Sequence, residues 1–250
     1  MAYYFLEDMM KTDAYKKHKV FIIANANMLN AAERSFIEQK LKTNGNTIIW
    51  IHTPGILNET RFAPENVGKL IGMDVKYDPI PRNYEVTAVR SNDPLAKNLQ
   101  LNLGVADVNY RVKTLSDSKI SKYFSPMFRI IDKNAVALGK FNDGSTALAV
   151  KRHPEYTSVF CAAPGGLDPE LLSNIAEQAN IYKVTRPGLL IEVNDFFMSI
   201  HGMSNGKFEL TLPRKVKIVR DAYSGKIIAE NTDRITLNIR AWESRWLIFE

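Results

Sequence analysis

The chain has 250 residues, 45% of them apolar, and a formal net charge of +6. This length can bury a substantial core, arranged as one large domain or as two small ones. A single cysteine, Cys161, excludes an internal disulfide and a cysteine-based zinc site. Without a leader or an apolar stretch of membrane-spanning length, we expect a soluble protein with no membrane partner. A complete chain would be cytoplasmic, whereas a fragment of a larger protein could be periplasmic.

Two short basic clusters stand out from an otherwise mixed charge pattern. They are Lys16-Lys17-His18-Lys19 and Arg214-Lys215-Val216-Lys217. No aromatic residues alternate with these charges, as they would in a nucleic-acid groove, so solvated strand ends explain them better. We therefore expect no nucleic-acid partner.

The first elements describe one strand–helix–strand unit. An apolar run ends near Asn25, and a helix over residues 30–44 follows, with Asn30 as its N-cap and Glu33 completing a capping box. The next run, residues 47–51, is apolar on both sides, which indicates a buried strand of a parallel sheet. Because such units bind or react at the carboxyl ends of their strands, chemistry is expected near Asn25 or Thr53.

The middle of the chain changes from weak helical signals to alternating strands. Residues 63–71 predict a short helix, and residues 84–89 predict a strand. Further strands are predicted over residues 128–131, 135–141, 147–151 and 156–162, with a hairpin turn at Asn142-Asp143-Gly144. Asp168-Pro169-Glu170 then begins a helix that extends to about Ala179.

Past Pro187 the pattern contains only short strands at regular spacing, which is typical of a small β-sandwich. The predicted strands are residues 189–192, 196–201, 207–212, 216–220, 226–230, 234–239 and 245–249. Turn signals at Asn205-Gly206, Ser224-Gly225 and 231–233 separate them. The sequence thus predicts an α/β domain over residues 1–186 and an all-β sandwich over residues 187–250.

Several segments carry a family resemblance. They are residues 3–8, 15–23, 48–55, 70–73, 137–139, 158–166, 171–179 and 197–201. Together they resemble the class I glutamine-amidotransferase-like domain, often called the trimerisation domain, that follows the catalytic barrel in family-42-type β-galactosidases and related glycoside hydrolases. The resemblance implies a flavodoxin-like α/β fold that lacks its usual first strand and helix. It also implies a homo-oligomer, an upstream catalytic domain in the parent protein and a carbohydrate as a potential partner.

The resemblance directs attention to the turn after residues 47–51. An active class I amidotransferase places a cysteine there in a tight G-x-C-x-G turn, with a histidine base elsewhere. Aligned on Gly55, the nucleophile position holds Thr53, and Ile51 replaces a glycine. Threonine is a poor nucleophile without an activating base, and Pro54 lacks the N–H that would help hold an oxyanion. His52 could act as a base or contact a sugar, or it could be a hydrogen-bonded packing residue.

Other candidates have weaker patterns. Cys161 ends an apolar strand, so it is either a small core residue or the nucleophile of a divergent cysteine-dependent hydrolase or amidotransferase. Trp242 and Trp246 either pack the sandwich or stack on sugars, as in a carbohydrate-binding module. We expect no metal and no cofactor, because His153 and His201 have no second ligand at helical spacing. The remaining candidates are carboxylate pairs, Glu65 with Asp74 and Glu192 with Asp195, and an anion-binding loop at Gly165-Gly166.

The sequence therefore predicts a non-catalytic accessory and assembly domain of a carbohydrate-active hydrolase. If the first strand of the usual domain is missing, residues 19–24 lose their usual neighbour in the sheet. An unpaired apolar edge attracts another strand. We expect either that residues 3–6 pair with this edge or that a second copy of the chain covers it.

Overall fold

The computed structural model describes residues 2–24, 26–99, 123–164 and 167–250. The chain divides into two compact units, Met1–Ala179 and Asn180–Glu250. The first unit is mixed α/β, and the second is built from strands. Among the described residues, none of the helices has the length and apolar character needed to span a bilayer.

The first unit contains four α-helices and ten strands among its described residues. The helices are α1 (Leu6–Lys11), α2 (Ala31–Phe36), α3 (Glu65–Ile71) and α4 (Pro169–Gln178). The strands are β1 (Val20–Ile23), β2 (Asn46–Ile51), β3 (Val75–Asp78), β4 (Arg82–Asn83), β5 (Val86–Ala88), β6 (Tyr123–Phe124), β7 (Met127–Ile130), β8 (Val136–Phe141), β9 (Thr146–Arg152) and β10 (Tyr156–Cys161). Two 3₁₀ turns lie at Ala14–Lys17 and Pro94–Ala96.

The start of α2 follows the sequence prediction. The side chain of Asn30 accepts the N–H of Glu33 over 2.8 Å, and the Glu33 carboxylate accepts the N–H of Asn30 over 2.7 Å. These bonds satisfy donors that every helix start leaves unpaired. After Phe36 the helix continues as a π-helix, Ile37–Leu41, that buries Ile37 and Leu41 and ends short of the predicted residue 44.

The main sheet has eight strands and combines a parallel part with an antiparallel part. Its order is β1-β2-β10-β9-β7-β3, with β8 on β9 and β5 on β8. β1, β2 and β10 are parallel, whereas β9 runs antiparallel to β10. Ile48, Ile49 and Trp50 of β2 are all fully buried, as expected for a strand covered on both faces. The carboxyl ends of β1, β2 and β10 therefore lie side by side.

β1 is an edge strand whose one sheet neighbour among the described residues is β2. The expectation that residues 3–6 pair with residues 19–24 is wrong. Phe5 instead forms the N-cap of α1, and the helix follows at once. Helical geometry places Leu6 and Met9 on one face, where both pack against the core.

A buried polar chain, here called the Ser158 relay, links β2, β10 and α3. The indole Nε1 of Trp50 donates to the hydroxyl of Ser158 over 3.0 Å. The Ser158 hydroxyl donates to the carbonyl of Ile71, in the last turn of α3, over 2.6 Å. Both Trp50 and Ser158 are fully buried, so the relay satisfies polar groups that water cannot reach.

The second unit is one five-stranded antiparallel sheet with the order β11-β12-β15-β13-β14. The strands are β11 (Leu189–Val193), β12 (Phe197–Gly202), β13 (Gly206–Asp221), β14 (Ile227–Ile239) and β15 (Ser244–Phe249). Two predicted breaks between strands do not occur. Residues 207–212 and 216–220 both belong to β13, and residues 227–230 and 234–239 both belong to β14. The strands continue through these positions with local irregularities. The pairing shifts register near Pro213, and Asn231 adopts a positive φ of 51°.

The second unit has its own hydrophobic core, to which four of its strands contribute buried residues. Along β13, Phe208, Leu210 and Leu212 are buried at every second position. Ile235, Leu237 and Ile239 repeat the same spacing on β14. This period of two is the pattern that predicted strands in the sequence.

Candidate functional site

The turn that follows β2, residues 52–55, lies at the carboxyl ends of the parallel strands. His52 has φ +62° although it is not a glycine, and its N–H donates to the carbonyl of Cys161 over 2.7 Å. The guanidinium of Arg34 donates to the carbonyl of Gly55 over 2.8 Å and ties the turn to α2. A side-chain-bearing residue in the left-handed region is uncommon, and such positions are frequent at functional sites.

The hydrogen bonds of His52 define its tautomer. Its Nε2 lies 3.0 Å from the carbonyl oxygen of Pro126, which can only accept, so Nε2 carries the proton of the neutral ring. Nδ1 then offers a lone pair 3.3 Å from the hydroxyl of Thr53. Burial lowers the pKa of His52, and the bond to Pro126 only partly opposes that shift. A neutral imidazole beside a hydroxyl is a general-base geometry.

The surroundings of Thr53 do not complete that geometry. Thr53 is 4% exposed, and its hydroxyl donates to Oδ1 of Asn27 over 2.8 Å, which is shorter than its distance to His52. Pro54 has no N–H, and the N–H of Gly55 is bonded to the carbonyl of Ala26 over 2.7 Å. Neither Pro54 nor Gly55 can therefore donate a backbone hydrogen bond to an oxyanion at Thr53.

Cys161, at the end of β10, has the properties of a core residue. It is 1% exposed, and its thiol donates to the carbonyl of Ala163 over 3.6 Å. Burial raises the pKa of the thiol to about 11, against a smaller opposing effect of that hydrogen bond. Because the thiolate is the nucleophilic form, this thiol is poorly suited to attack a substrate near neutral pH.

The first carboxylate pair lies in one surface cleft. Glu65 and Asp74 both line a cavity of about 560 Å³ with Lys69 and Tyr77. The pKa of Glu65 is lowered by a backbone hydrogen bond at the start of α3 and by a hydrogen bond from Arg61. A glycosidase acid needs the opposite shift, since it must hold a proton near neutral pH.

Asn25 and Gly165-Gly166 lie outside the described residues. No group of three or more His, Cys, Asp or Glu side chains in the part of the chain that the structure describes could hold a metal ion.

The two tryptophans of the second unit have different environments. Trp246, on β15, is partly buried, and its ring lies 4.8 Å from that of Tyr223 at an angle of 59°. Trp242 lies in the turn between β14 and β15 and is 75% exposed. Sequence reasoning treated both as one pair. The signal that separates them is that Trp242 falls between the predicted strands 234–239 and 245–249, whereas Trp246 falls inside the second of them.

Comparisons with known proteins identify the fold. No protein-family model and no curated protein matches the sequence. A β-galactosidase from Bacillus circulans sp. alkalophilus is similar in structure, with a TM-score of 0.53 and 14% identity over 94% of this chain and 33% of that one. A catalytic mutant of a GH42 β-galactosidase from G. stearothermophilus gives a TM-score of 0.51 and 12% identity over 93% of this chain and 32% of that one.

The similarity therefore concerns a domain. The chain spans about a third of the length of these two enzymes. The fold of this chain is therefore similar to that of a part of these two β-galactosidases, in agreement with the resemblance expected from the sequence.

Proposed function

We propose that this chain is a non-catalytic accessory and assembly domain of a carbohydrate-active glycoside hydrolase. In this proposal the first unit is a flavodoxin-like, class I amidotransferase-type domain. The second is a small sandwich-like unit, in which a single five-stranded sheet encloses its own core instead of the two separate sheets that the sequence pattern predicted. The observation that carries the proposal is the turn after β2. There a buried Thr53 is held by Asn27 and followed by Pro54, where an active amidotransferase needs an exposed nucleophile beside free N–H groups.

The accessory role also draws on the extent of the structural similarity. The chain spans only about a third of each β-galactosidase that it resembles. A domain of this size whose described residues include no suitably exposed nucleophile would leave catalysis to another domain of the parent protein. The buried thiol of Cys161 and the ionised Glu65 agree with that division of labour.

The assembly role rests on the outer edge of β1. The N–H of Thr47 donates to the carbonyl of Lys19 over 2.8 Å, so Lys19 turns its backbone groups toward β2. Pairing alternates along a strand, and Val20 and Ile22 therefore direct their N–H and C=O groups away from β2. Such an edge is self-complementary under a twofold axis, because two antiparallel copies present the same donors and acceptors to each other. We propose a second copy of this chain as the occupant.

Turnover assays test the non-catalytic role. The purified chain should release no ammonia from glutamine and no nitrophenol from nitrophenyl β-glycosides above the blank. Thr53→Val and Cys161→Ala serve as matched variants, since each removes one candidate nucleophile at nearly constant volume. If the unmodified chain shows turnover and either variant abolishes it, the proposal is contradicted.

Light scattering after gel filtration tests the assembly role. The measured mass of the unmodified chain should be a multiple of 28.3 kDa. Ile22→Pro removes an outward N–H and should give a monomer, whereas Ile22→Ala keeps that N–H and should assemble as the parent does. If the unmodified chain is monomeric, or if it and both variants assemble equally, the β1 edge is excluded as the interface.

A further inference from the structure

The turn between β14 and β15, residues 240–243, holds Trp242 away from the protein. This Trp242 turn gives the tryptophan φ +69°, a left-handed conformation that costs free energy for a bulky side chain. The ring lies 6.2 Å from that of His201, which is fixed in turn by a 2.8 Å hydrogen bond to Ser244. Most of the indole faces solvent, so the burial of apolar surface does not explain this conformation.

Backbone hydrogen bonds hold the turn in place. Trp242 N–H donates to the carbonyl of Gly202 over 2.7 Å, and Gly202 N–H donates to the carbonyl of Glu243 over 2.8 Å. The Glu243 carboxylate also accepts the N–H of Arg240 over 2.9 Å. A Cβ atom on Gly202 would lie 2.1 Å from the carbonyl oxygen of Arg240, so only glycine allows this close approach. The exposed ring is thus presented by a pre-organised loop, which lowers the entropy that binding would cost.

A polar cleft lies beside the exposed ring. Its volume is about 720 Å³, and Trp242 shares its lining with the polar side chains of Asn238, Arg240, Glu243 and Arg245. Arg245 donates to Glu243 over 2.7 Å, so these two charges compensate each other at the rim. The cleft combines one flat apolar face with an amide, guanidinium groups and a carboxylate. A hydroxyl group can accept from the guanidinium groups, donate to the carboxylate, and do either with the amide.

We propose that the Trp242 turn and its cleft form a binding site for a neutral oligosaccharide. A pyranose ring has a C–H face that stacks on an indole and a rim of hydroxyl groups that pairs with fixed polar side chains. The arrangement fits that chemistry better than it fits a phosphate, because the carboxylate of Glu243 lies among the guanidinium groups. The site goes beyond the proposed accessory role, and it depends neither on catalytic silence nor on assembly.

Calorimetric titration of the full chain tests the site. The probes are cellotetraose, β-1,4-galactotetraose, maltotetraose and, as a charged aromatic competitor, AMP. At least one tetraose should bind saturably below about 10 mM, and Trp242→Ala should weaken that binding by about tenfold or more. Tryptophan emission provides a second readout, since Trp50 is fully buried and Trp242 is the most exposed of the three indoles.

Two further variants separate binding from folding. Trp242→Gly removes the ring while favouring the left-handed turn, so it should lose binding and still melt at or above the parent temperature. Tyr223→Ala removes an aromatic ring that is 79% exposed in a different turn of the same unit, and it should bind as the parent does. The proposal is overturned if no tetraose binds, if AMP alone binds, if Trp242→Gly binds like the parent, or if Tyr223→Ala weakens binding equally.

Discussion

Replacing Ser158 by alanine should destabilise the first unit more than the loss of one small hydroxyl suggests. The hydroxyl lies at the centre of the Ser158 relay, where it accepts from Trp50 over 3.0 Å and donates to Ile71 over 2.6 Å. Alanine would leave the indole N–H buried without a partner and would also remove the bond to the α3 carbonyl. Two lost hydrogen bonds and one stranded donor together cost about 3 kcal/mol of unfolding free energy.

The thiol of Cys161 provides an assay specific to this unit. It is the sole cysteine of the chain and is buried in β10, so a thiol reagent reaches it only when the unit opens. Labelling of the parent should be slow in buffer and fast in denaturant. When reclosing outpaces labelling, the rate follows the opening equilibrium, and a loss of about 3 kcal/mol makes labelling about 100-fold faster.

A double-mutant cycle isolates the contribution of the relay. In a Trp50→Phe background no indole donor remains to be stranded, so Ser158→Ala should cost only about 1 kcal/mol, or about fivefold in labelling rate. If Ser158→Ala labels at the parent rate, local fraying at the end of β10 exposes Cys161 and the reasoning fails. An equal cost in both backgrounds would show that the Trp50–Ser158 bond contributes nothing.

Three further perturbations test other parts of the structure. Asn30→Ala removes one side of the α2 capping box and should cost about 1 kcal/mol, measured by the same thiol labelling. Burial acts to raise the pKa of Asp143, but hydrogen bonds from Ser145 and Arg129 outweigh it and lower that pKa to about 2. A lowered folded-state pKa stabilises the protein above about pH 4, and this contribution is lost as the pH falls toward about 2. Arg129→Met should flatten the fall of stability in that window in acid titrations, and an unchanged slope would exclude the ion pair as its cause. Trp242→Gly should raise the unfolding free energy of the second unit by about 1 kcal/mol in urea melts, because glycine adopts the left-handed conformation without steric cost. A lower stability of this variant would refute that explanation.

Local signals in the sequence predicted the elements that depend on local interactions. The capping box of Asn30 and Glu33 marked the start of α2, and Asp168 marked the start of α4 by accepting the N–H of Glu170. The two-sided apolar character of β2 predicted its burial between parallel neighbours. Each of these features depends on residues within one turn or one strand, so a single sequence contains the information.

Features that depend on distant partners were missed. Asn231-Thr232-Asp233 has the composition of a turn, yet pairing of β14 with β13 carries the strand through it. The left-handed backbone of His52 is stabilised by contacts with β10 and with Pro126, far away in sequence. Alignment on Gly55 named Thr53 as the nucleophile position and His52 as a candidate base, but no local signal in the sequence indicated the left-handed backbone of His52.

The mixed direction of the main sheet has a consequence for how the chain folds. β10 joins a hairpin-connected antiparallel half to a parallel half whose strands are distant in sequence, as in the pairing of Ser158 with Ile48. Contacts of high sequence separation form late, because a long loop must be closed before they stabilise anything. We expect β8, β9 and β10 to associate first and β1 and β2 to add afterwards. Destabilising changes in the β8–β9 hairpin should then slow folding, whereas those in β1 and β2 should mainly speed unfolding.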